Sequence, residues 1–215
     1  MSGAEIVNTL AILLIVTSLL VVEAKTPHNS AHFYSIQSFV LAAIFLALAV
    51  STKTTPLYIW SLTALVTKVI LVPYIIHRAL RRAGDIGDPE TTLSLALSLL
   101  IAAAFVGMAM FIVAPIRLPV VINVKPALAV SIAHFLLGLL CILTQRSAMK
   151  QILGYCLMEN GAHLALALMA FKAPQTVIIG IVTDAIFAVV VMSLIADLFR
   201  VIGTLDTDKL NSLKG

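Results

Sequence analysis

The chain has 215 residues, of which 61% are hydrophobic and 11% are charged, and its mean hydropathy is +1.10. A soluble domain is about one quarter charged, so this composition excludes a soluble protein and indicates a membrane domain. The formal net charge of +4 does not indicate nucleic acid as a partner, because the basic residues fall in short loops between apolar runs. The two cysteines, Cys141 and Cys156, lie inside apolar runs without ligand or disulfide spacing, and they predict no metal site.

Apolar runs long enough to cross a bilayer follow one another along the chain. The sequence predicts seven spans, at about residues 5–22, 32–50, 57–76, 92–115, 127–143, 148–171 and 176–199. We therefore expect an all-α polytopic integral membrane protein that forms a single membrane domain within the lipid bilayer. Its expected parts are a three-helix unit (1–82), a connecting helix (90–115), a second three-helix unit (125–200) and a polar tail (201–215).

The distribution of basic residues predicts the orientation. Seven spans place the termini on opposite faces, and the C-terminal face carries nine basic residues: Lys25, Arg78, Arg81, Arg82, Arg146, Lys150, Arg200, Lys209 and Lys214. The other face carries four: Lys53, Arg117, Lys125 and Lys172. Because Lys and Arg are retained on the cytoplasmic face, we expect the N-terminus outside and the C-terminal tail in the cytoplasm.

A short internal repeat joins the two halves of the chain. The segment LVTKVIL (Leu65–Leu71) matches IVTDAIF (Ile181–Phe187), and Tyr34 and Tyr155 hold similar places in the preceding spans. A duplication, with the fourth span as the connector, and a chance match between apolar helices both explain this pattern.

Titratable residues near the middle of the predicted spans are the main functional signal: Lys68, His134, Glu159, His163 and Asp184. Even on lenient insertion scales a mid-membrane charge costs about 2.5 to 3.5 kcal/mol, so each is a functional candidate whose partner must be found. Glu159 and His163 are four residues apart and share one helix face. We expect a proton path along the membrane plane; static ion pairs that hold helices together are the alternative.

Pro73 follows Lys68 in the third span. In an α-helix it removes the donor to the carbonyl of Val69, which would leave that carbonyl free beside Lys68. An ordinary proline kink is the alternative. Asn160 and Thr183 are expected to form interhelical hydrogen bonds, and Gly154 and Gly161 to permit close helix packing.

His134 and His163 on neighbouring helices could in principle ligate a haem. A histidine near an intramembrane carboxylate is more often a hydrogen-bond partner or relay, so we expect no cofactor and no metal. The sequence also carries no phosphate loop, nucleophile elbow or Fe–S cysteine run, so redox chemistry by this chain itself is not expected.

Several segments resemble the hydrogenase-4 component E family: KPALAVSIAHFLLGLLCILTQR, QILGYCLMENGAHLALAL, TDAIFAVVVM, FYSIQSFVL, IWSLTALVTKVILVP, and GTLD with LKG in the tail. The resemblance implies a membrane subunit of formate hydrogenlyase-type complexes. In these a nickel-iron hydrogenase arm with Fe–S subunits sits on a membrane arm related to respiratory complex I and to cation/proton antiporters. Implied partners are the antiporter-like and hydrogenase-anchoring membrane subunits, and the implied location is the bacterial or archaeal inner membrane.

The last three spans, from about Lys125 onward, also resemble the three-helix K-type subunit of complex I. That subunit carries one glutamate in its second helix and one in its third, both implicated in the proton pathway. Aligned on Arg146 and Gly154, the first glutamate falls at Cys156, and this chain has its carboxylate three residues later, at Glu159. The resemblance implies that Glu159 and, displaced by about a turn, Asp184 keep these roles.

Residues and resemblance together predict a non-redox subunit of an energy-converting hydrogenase complex. Lys68, Glu159 and Asp184, helped by His134 and His163, are expected to carry protons or Na⁺. The sequence leaves open a purely structural scaffold, a subunit of another complex I-related antiporter assembly, and a freestanding transporter. It also leaves open the direction of ion transport, whether the partner enzyme makes or consumes hydrogen, and the identity of the electron donor.

Overall fold

The computed structural model describes residues 2–83 and 93–197. Helices make up nearly all of this part, and no strand occurs within it. The elements are α1 Gly3–Glu23, α2 Pro27–Thr52, α3 Thr55–Ala64, a π-helical segment Leu65–Leu71, α4 Val72–Ala83, α5 Leu95–Val113, a 3₁₀ turn Ile122–Val124, α6 Lys125–Thr144, α7 Ala148–Ala170 and α8 Pro174–Asp197.

The predicted multi-pass helical architecture is confirmed. Among the described residues, six helices are long and apolar enough to cross a membrane, with α3, the π segment and α4 counted as one helix from Thr55 to Arg81. α8, with a shorter apolar stretch at Val177–Val191, lies where the sequence predicts the seventh span. The start of the predicted fourth span, the end of the seventh and the 201–215 tail lie outside the described residues. The orientation of the termini remains a prediction.

Local sequence signals explain where the helices begin and end. Ser2 caps α1. Its hydroxyl accepts from the backbone amide of Glu5, and the Glu5 carboxylate accepts from the backbone amide of Ser2, as in a capping box. Thr26 accepts a hydrogen bond at the start of α2, which has Pro27 in its first turn, where a missing N–H is tolerated. α2 ends at Thr52, and the capping residue Lys53 has a left-handed backbone with φ 54°, so a sharp turn leads into α3.

The two three-helix groups lie side by side in register. Within each group consecutive helices pack against each other, α1 on α2 on α3, and α6 on α7 on α8. Across the groups, α1 contacts α6, α2 contacts α7, and α3 with α4 contacts α8. α5 packs mainly on α6 at the edge. Corresponding helices of the two groups therefore touch, which brings polar residues from both halves of the chain together.

Glycines allow α6 and α7 to pack closely. A Cβ placed on Gly154 would lie 2.8 Å from the carbonyl oxygen of Gly138, and one on Gly161 would lie 2.6 Å from the amide of Phe135. Neither position tolerates a side chain without separating the helices, which confirms the expected packing role of Gly154 and Gly161. The close approach fixes the height of α7 relative to α6.

The helix around Lys68 is wider than the sequence predicts. Residues Leu65–Leu71 are π-helical, and the amide of Val72 bonds the carbonyl of Thr67, five residues back. If this five-residue spacing continued, the backbone N–H that Pro73 lacks would have faced the carbonyl of Lys68. Pro73 itself lies just beyond this segment, in α4, so the expectation that it frees the carbonyl of Val69, which assumed the four-residue spacing of an α-helix, stays a prediction.

Candidate functional site

Lys68 projects from the π segment into the centre of a charged cluster. Its ammonium lies 3.0 Å from Glu159 Oε2 and 2.9 Å from Asp184 Oδ1, and it donates to Asn160 Oδ1 at 2.6 Å. Lys68 and Asp184 are each only 2% exposed. The sequence predicted these three charged residues as mid-membrane candidates, and the structure brings them into direct contact.

His163 joins the cluster from α7. Its Nδ1 lies 2.9 Å from Asp184 Oδ1 and 4.0 Å from Glu159 Oε1, and 3.2 Å from the Lys68 ammonium. Its Nε2 lies 2.9 Å from the hydroxyl of Thr183. Glu159 and His163 share a helix face as expected, but the closer partner of the imidazole is Asp184. Thr183 makes the interhelical contact that the sequence predicts.

Trp60 completes the surroundings of Asp184 and was missed in the sequence. Its indole N–H donates to Asp184 Oδ2 at 3.0 Å, and its ring meets that of His163 edge-on, with centroids 5.4 Å apart. A signal was present: Trp60 precedes Lys68 by eight residues, about two helical turns, so both residues share one face. Gly180 makes room for this ring, because a Cβ there would overlap Trp60.

His134 lies apart from the charged cluster and reaches it through two carboxamides. Asn160 Nδ2 donates to Gln37 Oε1 at 3.0 Å, and Gln37 Nε2 lies 3.2 Å from His134 Nε2. His134 Nδ1 lies 2.6 Å from the hydroxyl of Ser18. Asn160 forms the expected interhelical bonds, whereas Gln37 was missed, although a carboxamide inside the apolar second span is itself a signal.

The curated relatives of the chain decide its family. Hydrogenase-4 component E of Escherichia coli (strain K12) is 49% identical over 216 aligned residues, which cover 100% of both chains, and that of Shigella flexneri matches to the same extent. The chain belongs to the hydrogenase-4 component E family. A more distant relative, an uncharacterised protein of Mycobacterium tuberculosis, is 26% identical over 208 residues, 94% of this chain and 92% of its own length.

A second likeness concerns the C-terminal part of this component E family member. Residues 126–215 match the family model of NADH-ubiquinone/plastoquinone oxidoreductase chain 4L, which confirms the expected similarity to the small complex I subunit. Glu159, His163 and Asp184 lie within the matched region, whereas Lys68 and Gln37 lie outside it. No solved structure matches the chain. The site of this component E relative thus combines a chain 4L-like part with residues from its own N-terminal half.

Three residues of the component E site have the chemistry of metal ligands. The ligand atoms of Glu159, His163 and Asp184 all lie within 4.8 Å of one another. The ammonium of Lys68 lies among them, 3.0 and 2.9 Å from the two carboxylates, and so takes the place that a metal cation would need. Both ring nitrogens of His134 have hydrogen-bond partners, Ser18 and Gln37, so neither is free to ligate a haem iron.

The hydrogen bonds around Lys68 can be rearranged without moving the backbone. An ammonium has three N–H donors, and four acceptor groups surround it: Glu159, Asn160 and His163 by hydrogen bonds and Asp184 by its 2.9 Å ion pair. One acceptor is therefore always in excess. A proton that arrives on His163 Nδ1 removes one acceptor, and the ammonium then serves the other three.

Proposed function

We propose that this chain is a non-redox membrane subunit of an energy-converting, complex I-related hydrogenase assembly, and that Lys68, Glu159, His163 and Asp184 carry protons within it. Membership is supported by full-length similarity to a protein named as a component of hydrogenase-4 and by the match to a complex I chain. The observation that supports proton transfer is one buried ammonium between two carboxylates.

Charge balance in this cluster is the basis of the proposal. One ammonium and two ionised carboxylates, with a neutral imidazole, leave one negative charge in excess. An uncompensated charge is costly both in a buried site and at mid-membrane depth. One further proton on Glu159, His163 or Asp184 makes the cluster neutral. The cluster thus has two states that differ by a single proton, which a fixed ion pair of one acid and one base does not have.

The hydrogen-bond partners of His163 indicate how this side chain holds the additional proton. In the neutral imidazole, Nε2–H donates to Thr183 and Nδ1 accepts from the ammonium of Lys68, at 2.9 and 3.2 Å. After protonation, Nδ1–H donates to Asp184 Oδ1, 2.9 Å away, and the ammonium of Lys68 turns to Glu159. Each transfer replaces one short contact by another, so the imidazole links the two carboxylates.

Glu159 is the most accessible acid of the cluster. Its side chain is 11% exposed, compared with 0% for that of Asp184. We infer that protons enter and leave through Glu159, where a neighbouring subunit or water supplies the next group.

A proton suits this site better than Na⁺. A sodium ion needs several oxygen ligands around it, as other hard cations do, and the ammonium of Lys68 already lies between the carboxylate oxygens. A proton needs no such space. Ion transport driven by hydrogen turnover should therefore proceed in sodium-free buffer. A strict requirement for sodium would show that Na⁺, and not the proton, is the transported ion.

Purification tests membership in the assembly. Tagged at one terminus and extracted in mild detergent, the chain should co-purify with nickel- and iron-containing subunits and with hydrogenase activity. Recovery with antiporter-like subunits but without nickel would point to another complex I-related assembly. A chain that is recovered alone and moves ions alone in vesicles would be a freestanding transporter.

A further inference from the structure

The polar chain from Lys68 to His134 has a fixed direction. An ammonium is only a donor, so the Asn160 oxygen must face Lys68, at 2.6 Å. The Asn160 nitrogen then donates to the Gln37 oxygen at 3.0 Å, and the Gln37 nitrogen faces His134 Nε2 at 3.2 Å. Because a carboxamide nitrogen is a donor, His134 Nε2 must accept. The charge on Lys68 thereby sets the orientation of side chains on α7, α2 and α6.

The other ring nitrogen of His134 agrees with this direction. The Ser18 hydroxyl donates to the carbonyl of Leu14, so its oxygen is free to accept from His134 Nδ1–H at 2.6 Å. His134 is therefore a neutral imidazole with its proton on Nδ1. It is fully buried, as are Gln37 and Asn160, all at 0% exposure, so these bonds lie away from bulk solvent.

The same chain is a poor route for protons. A carboxamide passes a proton on only if it first becomes an imidic acid, and two carboxamides in series separate Lys68 from His134. Glu159, His163 and Asp184, in contrast, are titratable groups around one ammonium. The proton is thus confined to one side of the Gln37–Asn160 pair.

We propose that His134 is a positioning residue rather than a proton carrier: its Nε2 lone pair anchors Gln37, which holds the Asn160 oxygen on Lys68, and proton transfer ends at this carboxamide pair. The inference rests on the proposed proton site, and it moves His134 from the path that the sequence predicts to the support of that path. Gln37, which the sequence did not single out, becomes part of the same support.

Nitrogen-15 NMR on the full-length chain in nanodiscs tests the geometry without any transport measurement. The chain has five histidines, and the His134 signals are those lost in His134→Gln. We expect a protonated Nδ1 and an unprotonated Nε2. A proton on Nε2, in either the other neutral tautomer or the doubly protonated ring, would overturn the proposal even if the assembled complex transports protons normally.

Two substitutions separate positioning from proton transfer in the assembled complex. Glutamine at 134 offers an oxygen to Gln37 and an amide to Ser18 but does not titrate, whereas leucine offers neither. We expect His134→Gln to keep proton transport per H₂ within about twofold of wild type, and His134→Leu to lower it by roughly fivefold or more, because Gln37 loses a buried acceptor. Equal loss in both variants, with normal subunit content, would show that His134 carries the proton. Equal retention in both would show that its acceptor is not needed.

Discussion

The ammonium of Lys68 and Oδ1 of Asp184 lie 2.9 Å apart, and the two residues hold the same position in the matching segments LVTKVIL and IVTDAIF. Other contacts between corresponding helices span similar sequence separations: 116 for Ser18 with His134 and 123 for Gln37 with Asn160. The separation of Lys68 and Asp184 is 184 − 68 = 116. We propose that the 1–82 and 125–200 units arose by duplication, with 90–115 connecting them, and that the site formed where their like helices meet.

Lys68→Met should destabilise the subunit. It removes the cation that faces two buried carboxylates, and the loss of one partner from a buried pair costs about 3 to 5 kcal/mol. We expect a lower subunit content on native gels and a lower Tm of the purified full-length chain. Protonation of a carboxylate removes negative charge, so the defect should shrink as pH falls. The double variant Lys68→Met/Asp184→Asn should regain part of the stability, and a Lys68→Met protein with wild-type Tm would show that the ion pairs contribute little.

Gly180→Ala should displace Trp60 from Asp184. An added Cβ overlaps the indole ring, and overpacking of this kind costs about 1 to 3 kcal/mol. Trp60 is the only tryptophan of the chain, so the emission of the purified chain reports on this contact directly. We expect a changed emission maximum and a lower Tm. Gly107→Ala is the matched control, because no atom lies within 4 Å of a Cβ there; identical changes in both variants would contradict the packing described.

Gly138→Leu should separate α6 from α7. The backbone of Gly154 and Met158 lies 2.5 Å from a Cβ at this position, so even the first carbon of a side chain cannot fit. Because α7 carries Glu159, we expect this variant to lose both stable assembly and proton transport. Thermal unfolding and subunit content measure the effect, with Gly107→Leu at an open position as the comparison. A Gly138→Leu chain as stable as the Gly107→Leu chain would be incompatible with the close packing.

The sequence predicts the helices better than it predicts the contacts between them. Apolar length fixes the spans, and the cost of mid-membrane charge selects Lys68, Glu159 and Asp184. The π segment Leu65–Leu71 was not predicted, because no local sequence pattern indicates it. The sequence signals for Gln37 and Trp60 do not identify their partners, because these contacts depend on α2 meeting α7 and α3 meeting α8.

The internal repeat also predicts which helices correspond without predicting their contacts. Tyr34 and Tyr155 hold similar sequence positions, but Tyr34 is fully buried and Tyr155 is 45% exposed. The two halves present different faces of their second helices to the rest of the bundle. Pattern matching therefore finds the corresponding helices, while burial depends on which neighbour each helix meets.

The predicted orientation is tested with reporters at the two ends. The nine-to-four distribution of basic residues predicts a cytoplasmic C-terminus. A reporter active only in the cytoplasm should work when fused after Gly215, and one active only outside should work at the N-terminus. The reverse pattern would overturn the orientation or the number of spans.

Proton transport by the Glu159→Gln complex tests the central claim most directly. The substitution keeps the side-chain volume, and Lys68 keeps Asp184 at 2.9 Å and Asn160 at 2.6 Å, so the cluster becomes neutral without an exchangeable proton and assembly should persist. In vesicles that contain the assembled complex, we expect protons moved per H₂ to fall by about tenfold or more, with partial transport in Glu159→Asp. Normal transport by an assembled Glu159→Gln complex would contradict proton transfer through this cluster and would leave its charges as a structural link between helices.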